Sequence, residues 1–203
     1  MNIAIIGTGN VGGALATSWA KAGHTIFLGV QNTEQFKGMD LLHNPNTKAV
    51  SVAEAIAQAE TILIATPPTA IFDIIEQSGN LSGKYCIDAT NAVRQKPEPY
   101  STVYHCLAAK TEAAIVKCFN STGFENMSNP RYDTVTLDMF MAGDSDAAKA
   151  VATQLAKDAG FEQCYDFGKG DKVELLECFA LSWINLAIMQ GYGRSIGFKV
   201  VKR

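Results

Sequence analysis

Short apolar runs alternate with longer stretches of helical periodicity along the first two thirds of the chain. The runs that indicate strands are residues 2–6, 25–29, 49–50, 61–65, 85–89 and 114–119. Helical segments are predicted at residues 11–22, 51–59 and 69–77. Continuous apolar runs are typical of strands buried on both faces, and their alternation with helices indicates crossover connections. The pattern therefore predicts an α/β fold with a doubly wound, mostly parallel sheet.

The last third of the chain has a different pattern. Strands are predicted at residues 138–143 and 161–167, with a helix at 145–159 between them and one long apolar helix at 172–190. Because no repeat, low-complexity tract or linker interrupts the chain, residues 1–203 are predicted to form a single domain. Residues 171–203 are its small C-terminal helical extension, packed on that domain.

A glycine-rich turn joins the first strand to the first helix. In this position the first glycine permits the tight turn, the second lets a pyrophosphate approach the backbone, and the third lets the helix pack on the strand. The helix start also directs unpaired N–H groups and a positive dipole end at the phosphates. The turn predicts a Rossmann-type dinucleotide site, with a pyrophosphate held by Gly7, Thr8, Gly9, Asn10, Val11 and Gly12.

The residues after the second strand bear on the choice between NAD and NADP. An NAD site usually has an acidic residue at this strand end, which accepts hydrogen bonds from the ribose hydroxyls. Here the strand end is followed by Gln31, Asn32 and Thr33, and Lys37 comes shortly afterwards. We therefore expect NADP, with Gln31, Asn32 and Lys37 around its 2′-phosphate. NAD stays open, because the arginine expected at an NADP site is absent too.

Polar residues also follow the fourth, fifth and sixth strands. Because ligands bind beyond the carboxyl ends of parallel strands, Thr66, Pro67, Asn91 and Asn120 are predicted to frame a nicotinamide. The two asparagines would hydrogen-bond its carboxamide or the substrate rim, and Thr66 and Pro67 would lie against the ribose. The alternative is structural: asparagine is well suited to cap a loop, and Thr66 with Pro67 would form a stiff turn.

No catalytic residue is assigned from the sequence. The strand ends show no Ser/His/Asp order, no paired carboxylates and no nucleophile elbow. His105 is the one candidate proton carrier, and a packed or surface histidine is the alternative. Hydride transfer fits such a site, because the cofactor supplies the reactivity and the protein orients the reactants.

The charge and the cysteine content indicate the compartment and the kinds of partner. The net charge is −3 and the five cysteines are odd in number and far apart, without a CxxC pair. These features predict reduced thiols in the cytoplasm, no metal site and no nucleic-acid partner. The first strand starts at residue 2, so no targeting segment is expected, and no apolar stretch reaches the roughly 20 residues of a membrane span.

Several sequence blocks resemble the NADPH-dependent reductases of coenzyme F420, a deazaflavin carrier. The glycine turn and the end of the second strand are similar to those of this family, and the resemblance covers nearly the whole chain. The later blocks are more specific than the glycine turn: residues 116–121, 123–127, 139–144, 175–177, 183–184, 193–194 and 198–199.

The resemblance implies a Rossmann domain with a small helical part, usually in a homodimer. It also implies hydride transfer between NADP(H) and a deazaflavin stacked near the nicotinamide. By position, Thr8 matches a threonine near the 2′-phosphate. The family's Ser-Arg pair falls on Val30 and Gln31 here, a departure that weakens the case for NADP. A flavin stays open as the acceptor in place of coenzyme F420.

The apolar C-terminal helix allows more than one interpretation. Core packing accounts for it, or one face forms a two-fold contact or covers the substrate pocket. In the latter case Phe179 and Trp183 would offer flat surfaces to a planar acceptor, and Arg194 would meet an anionic tail.

Two other functions stay open. The scarcity of catalytic side chains favours a non-catalytic NAD(P)-binding sensor or regulatory protein. A reductase of a small imine or carbonyl substrate is third, because such enzymes have a large helical domain after the sheet and only a short segment follows here.

Overall fold

The computed structural model describes residues 1–93 and 95–203. Its strands are β1 (Asn2–Ile6), β2 (Thr25–Val30), β3 (Thr47–Ser51), β4 (Thr61–Ile64), β5 (Tyr85–Asp88), β6 (Ala114–Cys118), β7 (Arg131–Tyr132), β8 (Val135–Thr136), β9 (Met139–Ala142) and β10 (Cys164–Asp166). Its α-helices are α1 (Asn10–Lys21), α2 (Val52–Gln58), α3 (Ile71–Ser78), α4 (Val103–Lys110), α5 (Phe124–Ser128), α6 (Asp146–Asp158) and α7 (Val173–Ile184).

Eight of the strands form one sheet in the order β10-β9-β6-β5-β4-β1-β2-β3. Neighbouring strands are parallel except for β6 and β9, which run antiparallel. The strand order reverses beside β1, because β2 and β3 extend the sheet on one side and β4 to β6 extend it on the other. Such a switch point leaves a crevice at the carboxyl ends of the strands. The predicted fold class, a Rossmann-type doubly wound sheet, is confirmed.

Both faces of the sheet are buried. Along β1, Ile3 and Ile5 join the hydrophobic cluster that contains Trp19 of α1 and Leu155 of α6. The alternate residues of the strand join a second cluster on the opposite face, together with residues of α2, α3, α4 and α7. This double burial explains why the strands are continuous apolar runs and not alternating ones.

Helices α4 and α5 and the β7–β8 hairpin were not predicted. Helix α4 follows a stretch with Pro97 and Pro99, which conceals its start in the sequence, and is capped by the Thr102 hydroxyl, which accepts from the His105 N–H. Helix α5 spans only five residues and the hairpin strands two each, so neither shows a periodicity.

The C-terminal extension is only partly helical. Helix α7 ends at Ile184, and a π-helical turn continues it over Asn185–Met189. Beyond this turn the chain returns without helix, and the carbonyl of Ile196 accepts from Trp183 Nε1 at 2.8 Å. Further along, Asp138 Oδ1 pairs with Lys199 Nζ at 3.0 Å. Within the described residues, no helix combines the length and the apolar character needed to cross a membrane.

Candidate functional site

The three glycines of the turn after β1 lie in different steric environments. Gly7 has a φ of +107°, and a Cβ on it would lie 2.5 Å from the Ala65 carbonyl oxygen. A Cβ on Gly12 would lie 1.9 Å from the Gly7 oxygen. A Cβ on Gly9 would meet no atom of the described residues within 4 Å, and its φ is −75°. The fold therefore requires Gly7 and Gly12, whereas the space above Gly9 is free for a ligand.

The start of helix α1 is open toward this space. Gly9 is the N-cap, and the cap makes no side-chain hydrogen bond. The first turn carries no acidic residue. The amide groups of this turn are consequently available to an anion, and the helix dipole favours negative charge there. Asn10 and Val11 lie in this turn, so the structure brings all six residues of the predicted pyrophosphate loop together.

A cavity of about 370 Å³ extends from the glycine turn to the end of β2. It brings together Gly7, Thr8, Gln31 and Asn32, as expected for the adenosine side of a dinucleotide site, and it also contains Thr66, which was expected beside the nicotinamide. Of the described residues that line it, Asp73 of α3 is the one that is charged. The carbonyl oxygen of the Asn32 side chain accepts from the Glu34 N–H at 2.9 Å.

Lys37 does not lie in this cavity. It lines a neighbouring cavity of about 390 Å³, on the side of the glycine turn where Gly9, Asn10 and Gly38 lie. Thr8 is shared by both cavities, and its hydroxyl donates to the Lys37 carbonyl oxygen. The predicted trio Gln31, Asn32 and Lys37 is therefore divided between the two sides of Thr8.

Unpartnered polar atoms collect at the carboxyl ends of β4, β5 and β6. Thr66 Oγ1, Asn91 Oδ1 and both amide atoms of Asn120 are buried and have no hydrogen-bond partner among the described residues. Asn120 is only 4% exposed. A buried unsatisfied group costs about 1–3 kcal/mol, so four such atoms at one sheet edge mark a place where a bound ligand or an ordered water would be favourable. Pro67 lies between Thr66 and a short helical turn, and it is exposed.

An open groove of about 1340 Å³ begins at this edge. Pro68 and Asn91 line it from the sheet edge. Helix α7 and its π-helical turn also line it, with the apolar side chains of Leu181, Trp183, Leu186, Ile188 and Met189. The apolar helix therefore walls a pocket as well as packing on the sheet. The composition suits a mostly apolar ligand that meets a few polar groups.

Phe179 and Arg194 do not take the roles considered for them. Phe179 packs into an aromatic cluster, with its ring centre 4.8 Å from Phe140 and 4.4 Å from Phe198, and it does not line the groove. Arg194 lines the groove, but its Nε lies 2.5 Å from Glu125 Oε1. Desolvation raises the pKa of Glu125, but the hydrogen bond and charge of the Arg194 guanidinium outweigh it, so that this pKa lies below its usual value.

A buried ionic cluster lies behind the strand ends and was not predicted from the sequence. Asp88 is the last residue of β5, and the ammonium of Lys117 on β6 lies 3.1 Å from its Oδ2. Glu177 Oε1 of α7 lies 2.6 Å from the same ammonium. Burial raises the pKa of Glu177, although Lys117 opposes this shift.

A signal for two of the three residues of this cluster was present in the sequence. Asp88 and Lys117 each interrupt an apolar strand, and they are register partners in the parallel pair of β5 and β6. Glu177 comes from a helix distant in sequence, and no local pattern indicates its approach.

His105 is packed away from the cavities. Its Nδ1 lies 2.8 Å from Thr102 Oγ1 and 3.1 Å from Ser101 Oγ, and its ring meets Tyr104 edge-on. It is not among the described residues that line the cavities. Across residues 1–93 and 95–203, no group of three or more His, Cys, Asp or Glu residues is arranged to hold a metal ion.

Comparison with solved structures finds related folds over the whole chain. A candidate F420-dependent NADP reductase from Arthrobacter sp. FB24 shares 25% identity, with all of both chains covered and a TM-score of 0.86. An imine reductase from Streptomyces aurantiacus shares 14% identity and the fold, at a TM-score of 0.71. A reductive aminase from Aspergillus terreus in complex with NADPH and ethyl levulinate shares 17% identity, at a TM-score of 0.66.

The latter two chains are longer. This chain is covered to 94% in both comparisons but spans only 64% of the imine reductase and 62% of the reductive aminase. These two likenesses establish the fold alone. Comparison with curated proteins gives no match.

The N-terminal part of the sequence matches a known family. Residues 2–92, from β1 to the loop after β5, match the profile of the family described as NADP oxidoreductase, coenzyme F420-dependent. The resemblance seen in the glycine turn and the end of the second strand is thereby confirmed. The chain is therefore similar to the coenzyme F420-dependent NADP oxidoreductases over residues 2–92, and over its whole length it shares the fold of the candidate NADP reductase.

Proposed function

We propose that the protein transfers a hydride between NADP(H) and a planar acceptor, either coenzyme F420 or a flavin. One observation carries this proposal. The unpartnered polar atoms of Thr66, Asn91 and Asn120 lie at the carboxyl edge of the sheet, and Asn91 also lines the apolar groove. A nicotinamide at this edge and a planar ring in the groove would be neighbours.

The glycine turn and the strand ends would hold the dinucleotide. Gly9 leaves room for the pyrophosphate, and the N–H groups at the start of α1 neutralise part of its charge. Thr66, Pro67, Asn91 and Asn120 border the nicotinamide and its ribose. When bound, the dinucleotide supplies the hydride. The protein's part is to align two reactants and exclude water, which raises the rate through effective molarity.

At the adenosine end, some residues favour NADP over NAD and others do not. No carboxylate follows β2 directly, which favours a 2′-phosphate at Gln31 and Asn32, whereas Asp73 of α3 lines the same cavity and opposes it. Lys37 is the nearest cation in the loop and lies on the other side of Thr8. We infer that the Lys37 ammonium reaches the phosphate from that side. Replacing it by alanine is expected to weaken NADPH binding at least threefold and leave NADH binding unchanged, by fluorescence titration.

The groove supports a planar acceptor. Its volume of about 1340 Å³ is larger than the ~300–1000 Å³ of ordinary ligand pockets, and its walls are mostly apolar. Trp183 lines it but is only 4% exposed, and no carboxylate occurs among the described residues that line the groove. A flat aromatic acceptor with polar edges suits this composition better than a small polar carbonyl compound.

A homodimer and a cytoplasmic location complete the proposal. Leu181, Ile188 and Met189 lie on α7 and its π-helical turn and are 44%, 49% and 68% exposed. A second copy that covers them would bury apolar surface and narrow the groove. The five free cysteines fit a reducing compartment. Light scattering after gel filtration measures the assembly, and a monomer at micromolar concentration contradicts the homodimer.

The proposed activity is tested by anaerobic NADPH oxidation. Purified protein is offered coenzyme F420, FMN and FAD in turn, with NADH as the parallel donor. We expect turnover with at least one acceptor and a higher kcat/KM for NADPH than for NADH. Tight binding of NADPH with no turnover on any acceptor contradicts the proposal and supports a non-catalytic sensor.

A further inference from the structure

Lys117 is fully buried, and its ammonium lies among three oxygen atoms of the protein. Its Nζ lies 3.1 Å from Asp88 Oδ2 and 2.6 Å from Glu177 Oε1. It also donates to the carbonyl oxygen of Thr90 at 2.5 Å. The contacts with Asp88 and Thr90 are hydrogen bonds, and the contact with Glu177 is an ion pair. None of the three contacts is with a ligand-accessible group, so Lys117 acts on the protein itself.

The two carboxylates of this cluster hold the loop after β5. Asp88 Oδ1 accepts from the Thr90 N–H at 2.9 Å and from the Thr90 hydroxyl at 2.7 Å. Glu177 Oε2 accepts from the Ala92 N–H at 3.2 Å. Thr90 and Ala92 flank Asn91, so the loop is fixed on both sides of this residue.

Asn91 is the one residue of this loop segment that faces the groove. It lines the groove, and its side-chain Oδ1 is buried without a hydrogen-bond partner among the described residues. Buried ionic clusters are seldom the most stable choice for a core, because desolvation offsets the attraction between the charges. A role beyond stability therefore accounts better for a cluster placed directly behind Asn91.

We propose that Lys117, Asp88 and Glu177 form a positioning cluster, which fixes residues 89–92 so that the Asn91 amide meets the ligand at the junction of sheet edge and groove. Glu177 belongs to α7, and α7 walls the groove. The cluster therefore also sets the distance between the groove wall and the strand ends. The inference rests on the proposed function, since it takes the nicotinamide or the acceptor as the partner of Asn91.

A double-mutant cycle tests the proposal. Glu177→Leu removes the acceptor for the Ala92 N–H, Glu177→Gln keeps one, and Asn91→Ala removes the amide. We expect Glu177→Leu and Asn91→Ala each to lower kcat/KM for NADPH oxidation about tenfold. The double variant should be no worse than the poorer single variant, because both changes remove the same contact. Glu177→Gln should stay within about threefold of the wild-type protein.

A matched control separates positioning from stability. Lys149 of α6 pairs with Asp166 at 2.9 Å, away from the groove. Lys149→Met is expected to lower stability without changing kcat/KM, and its combination with Asn91→Ala should be additive. The positioning role is overturned if the losses in kcat/KM of the two single variants multiply in the Glu177→Leu/Asn91→Ala variant. It is also overturned if Glu177→Gln loses as much activity as Glu177→Leu.

A second variant covers the case in which Glu177→Leu does not fold. Thr90→Val removes the hydroxyl that donates to Asp88 and keeps the shape of the side chain. It should lower kcat/KM about threefold and be non-additive with Asn91→Ala. Hydrogen exchange of the amides at residues 90–92, measured without ligand, should be faster in this variant than in the wild-type protein.

The two hypotheses fail in different ways. A wild-type protein that neither binds NADPH nor turns it over refutes the proposed function, whatever the exchange data show. A wild-type protein that turns over, with unchanged exchange at residues 90–92 in Thr90→Val and Glu177→Leu, refutes the positioning cluster alone.

Discussion

Two buried asparagines illustrate how a structural residue differs from a ligand-binding one. Asn126 donates to Thr122 Oγ1 and to the Ile196 carbonyl, each at 2.7 Å, and accepts from the Tyr132 hydroxyl. Asn120 makes no side-chain hydrogen bond within the described residues, although it is equally buried. The protein satisfies the first amide internally and leaves the second without a partner, which is why we propose that Asn120 binds the ligand.

This contrast gives the first prediction. Asn126→Ala should lower the free energy of unfolding by about 1–3 kcal/mol, because it leaves buried partners unsatisfied. Asn120→Ala should leave that free energy unchanged or raise it, and should weaken NADPH binding about tenfold. Urea unfolding and fluorescence titration measure the two quantities. Equal losses of stability in both variants contradict the assignment of Asn120.

The glycine turn gives the second prediction. Gly9→Ala adds a methyl group where the protein leaves open space, so the melting temperature of the ligand-free protein should change by less than about 2 °C. The same methyl group should obstruct the pyrophosphate and weaken NADPH binding at least tenfold. Gly12→Ala serves as the contrast: its Cβ would overlap the Gly7 oxygen, so the fold itself should be disrupted. Unchanged NADPH affinity in Gly9→Ala would remove the turn from the site.

At the scale of elements, one hydrogen-bonded link joins α4, the loop after β9 and the short helical turn before α7. The Tyr104 hydroxyl donates to Asp144 Oδ2 at 2.9 Å, and the Gly170 N–H donates to Asp144 Oδ1 at 3.2 Å. Burial and the Asp144 carboxylate raise the pKa of Tyr104 to about 12. The hydrogen bonds from Tyr104 and Gly170 lower the pKa of Asp144.

The third prediction concerns pH. Since the pKa of Asp144 is lower in the folded protein than in the unfolded chain, its contribution to stability is complete above the unfolded value near 4. That contribution is lost as the pH falls through the folded pKa. The carboxylate is exposed, so the effect should not exceed about 1 kcal/mol. Urea unfolding of Asp144→Asn should show a smaller loss of stability between pH 6 and pH 3 than the wild-type protein. An identical loss contradicts this account.

Strands that form a continuous buried apolar run could be predicted from the sequence. Short helices and contacts between distant elements could not. Strand β1 is bounded as expected, because five consecutive residues before a glycine turn leave little freedom. Helix α4 was missed, because it spans only eight residues and follows directly on a stretch that contains Pro97 and Pro99. The partner of Lys117 on α7 depends on tertiary packing, which no local pattern encodes.

At the scale of the whole molecule, the candidate chemistry lies along one edge of the sheet. The glycine turn, the strand ends and the apolar groove follow each other there, from the adenosine cavity to the wall formed by α7. The sequence could predict this edge, because parallel strands place their carboxyl ends together. The groove could not be predicted as a shape, because it depends on where α7 docks and on the return of the chain after Met189.

The central claim is direct hydride transfer across the junction of this edge and the groove. The most direct measurement is the fate of deuterium from NADPH labelled at C4 of the nicotinamide, with coenzyme F420 as the acceptor. A carbon–deuterium bond formed on the deazaflavin does not exchange with water. Deuterium from one face of C4 should therefore appear in the reduced acceptor, and the opposite label should stay in NADP⁺. Absence of the label from the reduced acceptor with both donors would contradict the account.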